Sequence, residues 1–189
     1  MIEQEIRLKI PNKEVYDKLH KTYYSFLKKA AIFDTDYYDT RDLQLLDKGI
    51  LLRKRIIEGK IFIQAKKIVK AISEGVIQTE TKEEMQKNIE DSKIYHFLLN
   101  ENGIEKVEKI LTLHSKRNYY YVNGIEFLLD DAEYEDYLRN TKGEVFELRL
   151  EILAKTPEID KFVKKMQSEY GLILLSANKL QRILLGMGD

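Results

Sequence analysis

The chain opens on an alternation. Ile2, Ile6, Leu8 and Ile10 hold even positions, while Glu3, Glu5, Arg7 and Lys9 hold odd ones. In a strand, a period of two sets two acids and two bases in a row on one face, with an aliphatic face behind them. The same two-faced charged pattern returns at Arg53-Lys54-Arg55, at Gln64-Ala65-Lys66 and at Glu147-Leu148-Arg149-Leu150-Glu151. Residues 2–10 therefore predict a strand. From Pro11-Asn12 to about residue 30 the spacing of Val15, Leu19, Tyr23, Phe26 and Leu27 predicts a helix. Residues 32–38 predict a strand, 39–42 a turn, and 43–46 a short helical turn ending at Gly49. A hairpin over residues 50–58 and 60–69 turns around Glu58-Gly59-Lys60, and residues 75–80 predict a further strand.

Thr81-Lys82-Glu83-Glu84 has capping-box spacing and predicts a helix from there to about Asn100, stopped near Gly103. Residues 106–122 and 125–134 predict two long strands joined at Asn123-Gly124, a strong hairpin signal. Residues 144–154 predict another strand. Thr156-Pro157 places a cap and a first-turn proline before a helix over residues 158–170, and a last helix covers residues 176–185. Most strands are joined by hairpins, not helical crossovers. The expected fold is α+β: a closed eight-stranded antiparallel β-barrel with a charged interior, surrounded by amphipathic helices. Eight strands can close and leave room for one small ligand. Grease faces outward under the helices and charge faces inward.

The length, 189 residues, suits one domain with a substantial core. Thirty-two Lys and Arg balance thirty-two Asp and Glu, so whole-molecule charge attracts neither nucleic acid nor anionic lipid. Any anion site must come from local arrangement. The absence of cysteine excludes a disulfide framework and a thiolate ligand or nucleophile. No apolar run approaches the roughly 20 residues of a membrane-spanning helix, and the first residues are acidic where a signal peptide would be basic. The expectation is a cytoplasmic protein, monomer or homodimer, with a small-molecule partner and neither nucleic acid nor membrane.

Inward arginines and lysines from several strands repel one another unless carboxylates and a bound polyanion neutralise them. Arginine forks match phosphate oxygens in pairs, and lysine adds point charge. Carboxylates in the same cavity make sense if they hold Mg²⁺ or Mn²⁺, which prefer oxygen ligands and bridge to phosphates. A cavity of both signs therefore reads as a metal–phosphate site. The histidines, His20, His96 and His114, are scattered. The Tyr119-Tyr120-Tyr121 run reads as packing under helices in preference to base stacking. There is no glycine-rich phosphate loop and no Ser/His/Asp order.

These residues carry a resemblance. Glu3-Gln4-Glu5-Ile6-Arg7 resembles the N-terminal ExExK signature of the CYTH superfamily, the triphosphate tunnel metalloenzymes. Asp36-Tyr37-Tyr38-Asp39-Thr40, Leu45-Leu46 and Gly49-Ile50-Leu51-Leu52-Arg53-Lys54-Arg55 are similar to its next conserved stretch. Ile63-Gln64-Ala65-Lys66, Lys116-Arg117, Leu129-Asp130-Asp131, the run from Glu147 and Ser176-Ala177-Asn178-Lys179 follow in the family's order. The resemblance implies a metal-dependent triphosphatase acting on inorganic, nucleoside or thiamine triphosphate. The alternatives are a class IV-type adenylate cyclase and a non-catalytic polyphosphate or nucleotide binder. It implies Mg²⁺ or Mn²⁺ on Glu3, Glu5, Glu80, Asp130, Glu147 and Glu151. It implies phosphate contacts from Arg7, Lys9, Arg53, Arg55, Lys66, Arg117 and Lys179, with Arg7, Lys66 and Lys179 catalytic. Many members carry three alternating glutamates late in the chain, and the middle one is here Arg149. An arginine there can pair with Glu3 or Glu5, or set a fixed positive charge in place of a metal.

Overall fold

The computed structural model describes residues 2–72, 76–152 and 156–186, with side chains described for all of these except 2, 3, 69–72 and 76–78. The strands are β1 (Ile2–Ile10), β2 (Leu27–Asp39), β3 (Ile50–Ile57), β4 (Lys60–Ile72), β5 (Val76–Met85), β6 (Glu108–Val122), β7 (Ile125–Asp136), β8 (Thr141–Ile152) and β9 (Ile173–Leu174). The helices are α1 (Lys13–Tyr23), α2 (Gln44–Asp47), α3 (Lys93–Asn102), α4 (Pro157–Tyr170) and α5 (Lys179–Leu185). All strand pairings are antiparallel, in the order β5-β4-β3-β2-β6-β7-β8-β1-β9. No helix among the described residues is long and apolar enough to cross a membrane.

The expected closed eight-stranded barrel is corrected to a curled sheet of nine strands with a seam. The outer edge of β1 is shared. Ile2–Ile6 pairs with residues 76–80 of β5, and Leu8–Lys9 pairs with β9. Beyond Glu80, β5 continues against β4 alone, so β1 and β5 part at that end. Leu175 N–H donates to the Arg7 carbonyl and holds β9 in place. A two-residue strand is too short to be read from a hydrophobic pattern.

Three boundaries also differ from expectation. Residues 27–30, expected as helix, belong to β2, whose ladder with β6 runs from Leu27↔Tyr120 to Asp39↔Glu108. Residues 81–85 are strand, and α3 starts only at Lys93, capped by Ser92. The expected capping box does not form. Glu84 instead accepts from Ser92 Oγ at 3.0 Å and Lys93 N at 2.9 Å, anchoring the start of α3 from outside. The end of the strand expected over 144–154 lies partly outside the described residues. Other local signals are met. Asn123 and Gly124 both take positive φ, 49° and 83°, as a tight hairpin turn demands. Thr156 caps α4 ahead of Pro157.

Several strands have both faces covered. Outward residues of β1, β7 and β8, among them Ile6, Leu8, Phe127 and Leu148, are buried under α1 and α4 with Tyr16, Leu19, Phe162 and Met166. Tyr120 stacks on Phe127 with 4.9 Å between ring centroids. Leu52, Ile63 and Ala65 on the outside of β3 and β4 meet Tyr95, Leu98 and Leu99 of α3. The third cluster lies inside the curl. Tyr37, Leu51 and Leu113 face inward there and pack on Leu180, Ile183 and Leu184 of α5, which closes one end. α2 is pinned by Asp39, whose carboxylate accepts from the backbone N–H of Thr40, Leu45 and Leu46 at 2.7–2.9 Å. That pin sets Leu45 and Leu46 into two different apolar clusters.

Asp39→Ala leaves three backbone donors without their charged acceptor. Urea denaturation should report a loss of about 2–4 kcal/mol.

Candidate active site

Alternation along the strands fixes which side chains enter the curl. On β1 the odd positions Glu5 and Arg7 face inward and are 1% and 5% exposed. They do not face solvent, because the even positions of the same strand are committed to the outer core. Phe33, Thr35 and Tyr37 come from β2, Arg53 and Arg55 from β3, Lys66 from β4, Ser115 and Arg117 from β6, Asp130 from β7, and Glu147 and Arg149 from β8. Asn178 and Lys179 reach in from the start of α5. Together they line one cavity inside the curl.

Three carboxylates organise the interior. Glu5 Oε1 accepts from Arg7 Nη2 at 2.5 Å and Lys66 Nζ at 3.0 Å, and Glu5 Oε2 accepts from Arg149 Nη1 at 3.1 Å. Burial pushes the Glu5 carboxyl up, but Arg7, Arg149 and Lys66 outweigh it and hold the group well below the usual carboxylate range. Asp130 takes a two-pronged contact from Arg117, at 2.6 and 2.8 Å, and a third from Lys179 Nζ at 3.2 Å. Burial again raises its pKa, and Arg117 and Lys179 override this to hold it far down. Glu147 is engaged by Arg182 of α5.

Arg53 and Arg55 are different. Arg53 Nε donates to Gln64 Oε1 at 2.7 Å and Arg55 Nε to Thr35 Oγ1 at 3.1 Å, both neutral groups. The Arg55 guanidinium also lies 4.6 Å from the Phe33 ring centroid, and that of Arg117 lies 5.0 Å from it. Burial and the repulsion of Arg53, Arg117 and Arg149 press the pKa of Arg55 well down, with Tyr37 opposing. Lys66 is lowered too, because burial and the charges of Arg53, Arg149 and Arg7 outweigh its contact with Glu5. For Tyr37 burial raises the phenol, but Arg53, Arg55 and Lys179 outweigh it and the net shift is downward. The Nε atoms of Arg7 and Arg149 are buried without a hydrogen-bond partner.

Of the residues singled out from the sequence, Glu5, Arg7, Arg53, Arg55, Lys66, Arg117, Asp130, Glu147 and Lys179 meet around this cavity. Glu151 is exposed at its mouth, where it lies 3.6 Å from Arg149 and lines an opening shared with Arg53, Gln64, Lys66 and Glu83. Two lie elsewhere. Glu80 falls on the outward face of β5, in a groove with Lys67, Lys82 and Phe97 of α3. Lys9 continues the inward row of β1 but lies past Glu147, in a separate groove with Arg139, Phe146 and Arg182. The Glu3 side chain is outside the described residues. The sequence reading missed Glu83, which takes a hydrogen bond from Gln64 at the mouth. It also missed Arg182, Phe33 and a role for Tyr37. Arg182 sits at the helical period between Leu180 and Leu184, and its burial beside Glu147 has no local signal.

The CYTH domain family matches residues 1–184 of the chain. No curated protein sequence matches it. Among solved structures, a candidate adenylyl cyclase from Hippeastrum, HpAC1, described as having a dominant triphosphatase activity, is similar at TM-score 0.74 and 21% identity, covering 97% of this chain and 96% of that one. A candidate adenylate cyclase from Bacillus halodurans is similar at TM-score 0.70 and 17% identity, covering 97% and 98%. A Pyrococcus horikoshii protein follows at TM-score 0.57 and 22% identity, covering 96% and 99%. At these identities the likeness is one of fold. The sequence match and the fold agree over almost the whole length, and the chain belongs to the CYTH domain family.

Proposed function

We propose that the protein is a triphosphatase that holds a linear triphosphate, inorganic or carried by a nucleoside or thiamine, inside the curled sheet and hydrolyses it there. One observation carries this reading. Among the described residues, seven cationic side chains line the cavity against two carboxylates, Asp130 and Glu147. Glu5 beside them is already shared among three cations. Arg53 and Arg55 have neutral partners inside an enclosed space, a costly arrangement that a polyanion would relieve. Forked guanidinium groups suit the non-bridging oxygens of successive phosphates. The naming of the Hippeastrum relative supports the same activity.

Catalysis is then mainly positional and electrostatic. Arg53, Arg55 and Arg117 hold the phosphates in line, while Lys66 and Lys179 add charge where the transferred group becomes more negative. Tyr37, its phenol poised by three cations, can hold or move a proton within the cavity. Divalent-metal dependence is general to the triphosphatases of this family, and Mg²⁺ or Mn²⁺ are the ions the resemblance implies. Among the described residues, the donor set does not fit a resident ion. Among the described residues no three His, Asp or Glu side chains are grouped to hold one. Glu5, Asp130 and Glu147 each contact cations of the chain itself. No step is therefore routed through a metal.

Incubation with inorganic triphosphate, ATP and thiamine triphosphate should release orthophosphate from at least one. Cyclic AMP as the main product from ATP would favour the cyclase reading, and tight binding with no turnover would favour a binder. Arg55→Gln should lower kcat/KM by about 10²-fold or more. The same variant should melt at an equal or higher temperature, because the charge it removes is disfavoured in the unliganded fold. Full activity in Arg55→Gln would place the phosphate site elsewhere.

The acid limb of stability follows from Glu5 and Asp130. Their folded pKa values are depressed below ordinary values of 4.5 and 3.8, so their contribution is complete above those values and is lost as pH falls through the folded ones. Thermal melts should decline as pH drops below about 4.5. In Glu5→Gln that decline should be shallower, from a lower neutral starting point.

A further inference from the structure

Glu5 and Glu151 stand directly opposite one another across the β1–β8 ladder. Facing side chains in an antiparallel pair begin about 5 Å apart, and two like charges placed so are destabilising unless a cation sits with them. Here that cation belongs to the protein. Arg149 spans the two carboxylates, with Nη1 at 3.1 Å from Glu5 Oε2 and Nη2 at 3.6 Å from Glu151 Oε1. The other oxygen of Glu5 is taken by Arg7 and Lys66. A divalent ion on these carboxylates would have to displace the guanidinium and then sit beside Arg7 and Lys66. A guanidinium cannot dissociate and stays charged at any physiological pH. Its Nε is buried and without a hydrogen-bond partner.

We propose that Arg149 is a built-in substitute for a bridging divalent ion between Glu5 and Glu151, so that this chain binds its triphosphate without a metal joining protein to phosphate. The inference rests on the polyphosphate reading above and narrows the ligand to the metal-free triphosphate anion. Its binding does not require free Mg²⁺ or Mn²⁺. An ion chelated by the substrate lowers the ligand's charge and weakens its attraction to the cavity.

The test uses the full chain with inorganic triphosphate and Mn²⁺ as probes. Thermal shift and calorimetry compare triphosphate binding in EDTA and in excess Mg²⁺. Electron paramagnetic resonance counts Mn²⁺ bound without triphosphate. The wild type should bind triphosphate at least as tightly in EDTA as in Mg²⁺, and should leave Mn²⁺ free. Arg149→Gln should lose about 10-fold or more in affinity in EDTA, the worth of a charge-assisted hydrogen bond. It should also gain Mn²⁺ binding. Arg149→Lys, which keeps the charge, should bind in EDTA and still leave Mn²⁺ free. Stoichiometric Mn²⁺ on the wild type, or triphosphate binding only with Mg²⁺, overturns the proposal, and neither result needs a variant to fold. Triphosphate that binds in neither buffer would sink the polyphosphate reading instead, while the Mn²⁺ measurements still decide whether Arg149 occupies the cation position.

Discussion

The fold depends on keeping unlike chemistry on the two faces of the same strands and burying both. Leu148 and Leu150 of β8 lie in the outer core while Glu147 and Arg149, which alternate with them, point into the cavity. Neither face can turn to water, so register is strict. A slip of one residue in β1 would drive Glu5 and Arg7 under the helices and Ile6 and Leu8 into a field of guanidinium groups. Charge that would ordinarily be solvated is confined, and Glu5 and Asp130 each become a hub for several cations.

That confinement ties stability to function. Glu5 ties β1 to β4 through Lys66 and to β8 through Arg149. Asp130 ties β7 to β6 and to α5 through Arg117 and Lys179. These contacts draw strands from distant parts of the sequence around one space. They do not balance it, because Arg53 and Arg55 remain beside neutral groups.

Much of this was legible in the chain. A period of two at residues 2–10, 53–55 and 147–151 identifies the inward faces, and the ordered motifs identify the family. Where the reading failed, long-range pairing overruled local preference. Residues 81–85 carry a polar run without clean alternation, and a capping-box spacing at Thr81 looks helical. They become strand because β4 offers a ladder from Phe62 to Lys66. Along the same strand Glu80 points outward, although the resemblance placed it among the metal-holding carboxylates, and Glu83 points to the mouth. Leu27–Ala30 likewise leave the helical period of α1 to extend the pairing with β6. The role of Arg182 depends on where α5 docks, which no local pattern encodes.

The docking of α5 has a further consequence. Leu180, Ile183 and Leu184 press on Tyr37, Leu51 and Leu113 and stopper one end of the curl with grease. Among the described residues, the cavity opens at the mouth beside Glu83 and Glu151. On the triphosphatase reading proposed above, a product formed at the bottom would back out along the route by which the next molecule arrives. Departing fragments and newcomers would compete for the same arginines, and the pace of turnover would be set by how readily those side chains let go.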